Sequence, residues 1–337
     1  MSNIKVTVVT LVYGDRWKFL SKTIDPIMKD QRVCCLIIVD NASTDEQEIS
    51  SYIKQYGDRV IYLRNKENLG SAGGFHVGIA QAQKIESDYV LLLDDDMIPE
   101  EGYIDLFLQV QSLFERKVVL SGSRPFLLEN KEAFYQPVLG DTSVEGTFFD
   151  VFSFSKLQLF KDLLFGNFIK QKKRGPFVPI IPTKAFVYGG AFIPIEAIRE
   201  AKLPDVNLFL YGDDVEYSWN IKKLGYESYL CSRPVFQDID FTFGGNQSHI
   251  FGQFDKRTTK MKVFYRLRNM IKLSRRHSEQ FKVVLFLNIT VWVFGLCILG
   301  LLRNGFTSHY FSKLRVISYA FLAGYDIYNP TAKQLSL

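Results

Sequence analysis

Tyr89-Val90-Leu91-Leu92-Leu93-Asp94-Asp95-Asp96-Met97 is the stretch whose reading decides the fold. A continuous apolar run of this length describes a strand buried on both faces of a parallel sheet. Three consecutive carboxylates then stand at its carboxyl end, the edge at which open α/β sheets bind ligands. Adjacent carboxylates raise one another's pKa unless a cation lies among them. Hard divalent ions take oxygen ligands, and Mg²⁺ commonly uses one or two carboxylates plus substrate phosphates. The stretch therefore reads as a site for a divalent metal (Mn²⁺ or Mg²⁺) and a diphosphate. The plainer alternative is a solvated acidic turn.

Toward the amino terminus, Lys5 to Tyr13 is β-branched and apolar, a first strand that contains Thr10, and Gly14-Asp15 ends it. A helix is expected to about Lys29. Val33 to Val39 is a second buried strand, with Asp40 at its carboxyl end, where an acidic residue often accepts from a ribose or base. Ser43, Thr44 or Asp45 is placed to cap the next helix. Arg59 to Leu63 is a third strand. In Asn65 to Phe75, Asn68, Gly70, Gly73 and Gly74 precede a helix running to about Lys84. Glycines before a helix let the backbone approach a ligand and aim N–H groups at phosphate, although a flexible turn has the same composition. Strand and helix alternate up to Met97, which predicts a doubly wound nucleotide-binding half.

Toward the carboxyl terminus, Lys117 to Ser123 is another strand. From Pro125 to about Lys184 the pattern loosens into scattered phenylalanines, expected mostly to pack. Phe186 to Pro194 reads as a strand interrupted by a close-approach pair, Gly189-Gly190. Tyr211 to Trp219 opens a helix that runs to about Leu224 and stops at Gly225. Asp213 as N-cap with Glu216 at N3 makes a capping box. Asp214 is left unexplained in the first turn, where the helix dipole favours an ionised carboxylate, the state a general base needs. Tyr226 to Val235 is a further strand. The polar loop after it carries His249, which taken alone reads as a surface or packed residue.

The chain has 337 residues, room for a large α/β domain and an appendage. Its cysteines, Cys34, Cys35, Cys231 and Cys297, show no metal-ligand spacing and read as reduced thiols of a cytosolic protein. The polar start, Met1 to Lys5, reads as lacking a signal peptide. The net charge of +5 conceals an asymmetry, because residues 255–337 carry 14 Lys and Arg against three acids. An acidic body with a basic tail suggests an anionic partner surface. From Lys256 to Arg276 there are nine basic residues and no acid, with Val263, Phe264, Leu267, Met270 and Ile271 on one helical face. That pattern reads as a membrane-surface helix, and no fold-level motif for nucleic acid accompanies it. Residues 283–302 are uncharged and reach the ~20 residues of a spanning helix. Basic residues beyond them disfavour a simple span, so a helix in the interface or a shallow hairpin is expected. The division expected is a catalytic body over 1–250 and a helical, membrane-associated region over 251–337.

In combination, Val39-Asp40-Asn41-Ala42-Ser43, Asn68-Leu69-Gly70-Ser71-Ala72-Gly73-Gly74, Asp94-Asp95-Asp96 and Gly212-Asp213-Asp214-Val215-Glu216 resemble family 2 glycosyltransferases, inverting enzymes of the GT-A fold. The resemblance covers roughly residues 4–250. It implies a Rossmann-like, mixed but mostly parallel sheet with helices on both faces. It implies a donor site of Thr10, Asp40, the Asn68–Gly74 loop, Asp94 and Asp95, with Asp40 on the nucleotide base. Asp94 and Asp96 would be the D-x-D pair, with Asp96 the main metal ligand and Asp214 the catalytic base. Asp213, Glu216, Trp219, Gly189 and Gly190 would shape the acceptor site. The Asp-Asp-x-Glu form, followed by Phe264-Tyr265-Arg266-Leu267-Arg268-Asn269, is similar to bacterial galactofuranosyltransferases. It also resembles rhamnosyltransferases, which implies UDP-galactofuranose or dTDP-rhamnose as donor. A lipid-linked glycan at the cytoplasmic face of the membrane would be the acceptor. The galactofuranosyl enzymes supply a histidine as third metal ligand where this chain has Gln237 and Asp238, so that ligand is His249, Asp240 or absent. A catalytically silent sugar-nucleotide-binding scaffold is the rival from another class.

Overall fold

The computed structural model describes residues 4–124, 180–240, 254, 258–278 and 281–331. Compact packing divides the chain into two units. The first comprises residues 1–140, 175–209 and 213–242, and the second 141–174, 210–212 and 243–337.

Among the described residues nine strands build the sheet of the first unit: β1 (Val6–Val12), β2 (Val33–Asp40), β3 (Val60–Arg64), β4 (Tyr89–Asp94), β5 (Met97–Pro99), β6 (Val119–Ser123), β7 (Ile180–Thr183), β8 (Ala191–Pro194) and β9 (Ser228–Asp238). The order is β3-β2-β1-β4-β8-β6-β9-β5, with β7 also on β9. β1 pairs in parallel with both β2 and β4, and β2 with β3. β8 enters antiparallel between β4 and β6, and β9 runs parallel to β6. The order reverses at β1, because β2 and β3 lie on one side and β4 on the other. Such a switch point opens a crevice at the carboxyl ends of the strands, here where Leu11 pairs with Asp94.

Alternation along the strands sends side chains to two cores. Val6, Val8 and Val12 join Leu20, Ile24 and Ile27 of α1 (Trp17–Met28), Ile49 of α2 (Glu46–Ile53) and Phe107 of α4 (Tyr103–Gln111). Val9 and Leu11 join Phe75 and Ile79 of α3 (Gly70–Ala82), Ile198 of α5 (Ile195–Glu200) and Tyr217 and Ile221 of α6 (Asp213–Lys223). Each fully enclosed aliphatic side chain contributes roughly 1.5–3 kcal/mol relative to exposure. The sheet is covered on both faces, as the sequence predicts.

Three local expectations change. The Tyr89–Met97 strand ends at Asp94, and Asp95-Asp96 form a turn before β5, which pairs antiparallel with β9. On one straight strand Asp95 and Asp96 would point to opposite faces, whereas the turn brings both to one guanidinium. Secondly, Gly70, Gly73 and Gly74 lie inside α3 rather than before it. A Cβ at Gly73 or Gly74 would fall on Leu69 or Leu11, so these glycines serve close packing. Gly70 has φ +70°, and a Cβ there would fall on the carbonyl of Phe209, which accepts from Ala72 N at 3.1 Å. Gly70→Ala is expected to lower stability by at least about 1–3 kcal/mol, read by urea unfolding. Thirdly, the Phe186–Pro194 strand is confined to β8, with Gly190 at φ +97° in the turn before it.

The second unit holds α7 (Lys260–His277), α8 (Lys282–Asn304) and α9 (Ser308–Gly324). Val263, Phe264, Leu267 and Ile271 of α7 pack with Ile289, Trp292 and Leu296 of α8 and Val316, Ile317 and Ala320 of α9. The apolar face of α7, expected at a membrane surface, is therefore spent inside this bundle. The exposed apolar face belongs instead to α8. Its Lys282–Leu302 segment, of mean hydropathy 2.4, is the one helix among the described residues long and apolar enough to cross a membrane.

Candidate active site

The carboxyl edge of the sheet gathers charge from four strands and two helices. Arg16, just ahead of α1, is its centre. Of the three residues offered as caps for α2, Asp45 stands at its N-cap, but its carboxylate accepts from the backbone N–H groups of Arg16 and Trp17, both at 2.8 Å, and so caps α1. The Arg16 guanidinium then forks onto Asp95, with Nε to Oδ2 at 2.7 Å and Nη2 to Oδ1 at 2.8 Å. It reaches Asp96 through Nη2 at 2.6 Å and Asp240 through Nη1 at 2.7 Å. One cation thus serves three carboxylates. Burial pushes Asp95 up to about 7 against the pull of Arg16. Burial and the charge of Asp94 push Asp96 up to about 6.

Asp94, at the end of β4, keeps 41% of its side chain accessible. Arg124, after β6, donates to its Oδ2 at 3.3 Å. Enclosure by surrounding protein still raises Asp94, and the charge of Asp238 at the end of β9 adds to the rise. Gly189 fits here because a Cβ would sit 2.6 Å from Asp94 Oδ2 and collide with Arg124.

Asp214 faces the same charges. Burial raises its pKa to about 6, and the charge of Asp94 adds while Arg124 opposes. Burial thus lifts Asp214 above the usual carboxylate value while leaving it mostly ionised at neutral pH. Val215 N donates to its Oδ1 at 2.8 Å. Asp213 is the first residue of α6 and not its N-cap. Its Oδ1 accepts from Ser71 at 3.0 Å, and its Oδ2 is buried without a partner. Burial and the charge of Asp214 raise the Asp213 carboxyl well above its ordinary value, against the hydrogen bond from Ser71. Glu216 and Trp219 are both buried in α6.

On the β2 side, Asp40 is fully buried. It accepts from Ser43 N at 2.6 Å and from Tyr62 and Arg64. Asn41 holds the following loop, donating to Asn68 Oδ1 at 2.9 Å and Gly70 O at 3.0 Å and accepting from Leu69 N. The N–H groups of Gly70 and Gly73 are taken by Asn68 Oδ1 and Leu69 O, so they are not aimed outward. Thr10 is enclosed in β1, two residues short of the strand's end, with its hydroxyl unpartnered. His249 lies outside the described residues.

The structure brings Asp94, Asp95, Asp96 and Asp240 together and sets Asp213 and Asp214 within the electrostatic reach of Asp94. Arg16 and Arg124 escape the sequence reading, which named Asp238 only as an occupant of the third-ligand position and not for its charge beside Asp94. Their signal was position, since each follows or ends a strand at the ligand-binding edge. Among the described residues no group of three His, Cys, Asp or Glu side chains is disposed as a metal cage. Asp94 and Asp96 nonetheless suit a divalent ion bound by two carboxylates and completed by phosphate oxygens. Both are hard oxygen donors whose ionised forms are disfavoured by burial and by the charge of Asp238, with Asp94 adding to the rise at Asp96.

The sheet is that of the GT-A fold. GalNAc-T7 solved with UDP, GalNAc and Mn²⁺ superposes with a TM-score of 0.53 at 15% identity, over 81% of this chain and 48% of that one. TarS residues 1–349 from S. aureus superposes at 0.50 with 9% identity, over 95% and 81%. The Glycosyl transferase family 2 model matches residues 7–152, under half of the chain, and the chain is a glycosyltransferase similar to that family. Galactofuranosyltransferase GlfT1 of Mycolicibacterium smegmatis is 22% identical over 232 residues, 68% of this chain and 70% of that protein. GlfT1 of Mycobacterium tuberculosis H37Rv is 22% identical over 213 residues, 63% of each chain. This chain thus spans under two thirds of the M. tuberculosis relative and under half of GalNAc-T7.

Proposed function

We propose that this glycosyltransferase moves galactofuranose from UDP-galactofuranose to a hydroxyl of a lipid-linked glycan, with inversion at the anomeric carbon. The observation that carries the reading is Asp214, a carboxylate poised near 6 beside the charge of Asp94. Asp214 takes the proton of the acceptor hydroxyl as its oxygen attacks the anomeric carbon. The glycosyl–oxygen bond to the diphosphate breaks, and UDP leaves with the electron pair. A divalent metal held by Asp94 and Asp96 would supply charge stabilisation for that leaving group. A single base suffices for inversion, whereas a retaining glycosidase sets two carboxyls ~5–5.5 Å apart across the bond.

Arg16 keeps Asp95 and Asp96 in register, and Arg124 does the same for Asp94. Asp40, Thr10 and the Asn68–Gly73 segment form the donor side, with Asn41 holding the segment in place. Asp213, Glu216, Trp219 and the Gly189-Gly190 turn form the acceptor side. The 22%-identical GlfT1 relatives support galactofuranose as the sugar. The exposed apolar face of α8 supports an acceptor met at a membrane, and the proposal takes that membrane face to be the cytoplasmic one.

Donor choice is tested by thermal shift and transfer assays with UDP-, dTDP- and GDP-sugars, with and without Mn²⁺. UDP-galactofuranose is expected to stabilise and to turn over. Turnover of dTDP-rhamnose alone would replace the sugar, and neither transfer nor donor hydrolysis would favour a binding scaffold. Asp96→Ala is expected to weaken Mn²⁺-dependent UDP binding at least about tenfold, on the scale that metal-site substitutions show. Unchanged calorimetric affinity would remove Asp96 as a metal ligand.

A further inference from the structure

The second unit carries a cavity of about 390 Å³ where α7 and α9 end and α8 begins. Four cationic side chains line it: Lys272, Arg275 and Arg276 from the last turns of α7, and Lys282 from the start of α8. One lining carboxylate, Asp326, meets Lys272 at 2.8 Å and Arg275 at 2.9 Å. The described lining therefore carries four positive charges against one negative. Arg275 also donates to Gly324 O at 2.8 Å and stacks on Tyr325, 5.1 Å from the ring centroid. These contacts hold one guanidinium in place in the lining of the cavity.

Directly from this cavity runs the bare face of α8. Leu285, Ile289, Trp292 and Leu296 face the bundle, while Val283, Leu287, Val291, Phe294, Ile298 and Leu302 are exposed. Their spacing of three or four places them on one side of the helix. Phe281, 84% exposed, stands at the same end as the cavity. A helix with such a side lies at a bilayer with its apolar face among the acyl chains. The end that carries Arg275, Arg276 and Lys282 then falls at the level of the lipid phosphates. Guanidinium forks match phosphate oxygens in pairs, and an ammonium supplies a compact third charge.

We propose that this cavity is a binding site for the phosphate headgroup of an anionic membrane lipid, seated while the exposed face of α8 enters the acyl layer. The proposal rests on the membrane reading above and deepens it. Charge complementarity selects the occupant, because an apolar face alone would suit a second copy equally well.

The test is co-sedimentation of the full chain with phosphatidylcholine vesicles, with and without phosphatidylglycerol. Two variants are compared after circular dichroism and thermal melting show native folding. Arg276→Gln/Lys282→Gln removes two charges and keeps the apolar face. Val283→Ser/Phe294→Ser does the reverse. The charge variant is expected to bind phosphatidylglycerol vesicles about thirtyfold more weakly, the loss for two surface cations, with binding to neutral vesicles unaltered. The apolar variant should lose both. Unaltered phosphatidylglycerol binding by the charge variant, with the native chain still sedimenting, would overturn the headgroup site alone. Failure of the native chain to sediment with either vesicle would overturn the membrane reading itself. Inorganic phosphate shielding Lys282 from amine acetylation as well as phosphatidylglycerol vesicles do would assign the cavity to a soluble anion and overturn the lipid source. A stable dimer in sedimentation velocity that vesicles do not dissociate would give the α8 face to a second copy.

Discussion

Asp214→Asn is expected to lower kcat by about 10²–10⁴-fold, the range a positioned general base supplies, with UDP affinity unchanged. The native enzyme should show an acid limb near pH 6, where burial has placed Asp214. Below that limb the rate falls about tenfold per pH unit, because only the ionised carboxylate accepts a proton. In the variant the limb disappears. Stability should move the other way. A carboxylate raised on folding binds a proton more tightly folded than unfolded, so its ionisation opposes folding. That penalty is fully present above about pH 6 and is relieved as pH falls toward the unfolded value of about 4. Asp214→Asn removes the penalty, so its melting temperature should exceed that of the native chain at pH 8 and converge with it toward pH 4. A variant that keeps near-normal turnover would remove Asp214 as the base.

Arg16→Ala is expected to cost about 3–5 kcal/mol of stability at pH 8, the scale for breaking a buried ion pair from one side. Arg16 and Asp95 are 14% and 5% exposed at their side chains, so water does not replace the lost partner. Asp95 already titrates near 7 with Arg16 present. Without it, ionised Asp95 and Asp96 face each other uncompensated, and protonation becomes the escape. The loss should therefore shrink as pH falls from 8 to 6. Arg16→Lys should recover only part of the stability, because one ammonium cannot fork onto Asp95 while reaching Asp96 and Asp240. Urea unfolding at the two pH values measures all of this. Equal stability of Arg16→Ala and the native chain at pH 8 would show that the carboxylates do not depend on this cation.

Much of the fold was legible because buried strands of a doubly wound sheet announce themselves. The runs at Val6–Val12, Val33–Asp40 and Tyr89–Asp94 have no polar alternation, and all three proved central. β8 was less legible, since a four-residue strand entering antiparallel leaves little periodicity. The acid clusters were visible as residue types, but their partners were not. Arg16 lies 79 residues from Asp95 and 224 from Asp240, and only the strand order brings them together. The glycines of α3 misled for a physical reason. A helix packed tightly on β1 needs the same missing Cβ atoms as a loop that cradles phosphate. The tail misled similarly, because the apolar stripe of α7 looks the same whether a bilayer or two neighbouring helices cover it.

The central claim is that a diphosphate sits at the carboxyl edge of β1 and β4, with Asp96 and Asp214 on either side of the bond that breaks. A crystal structure of the full chain with UDP and Mn²⁺ tests it most directly. The account predicts Mn²⁺ held by Asp94 and Asp96 beside the diphosphate, with Asp214 facing the position of the departing sugar. Nucleotide bound at another edge of the sheet, out of contact with both aspartate clusters, would contradict it.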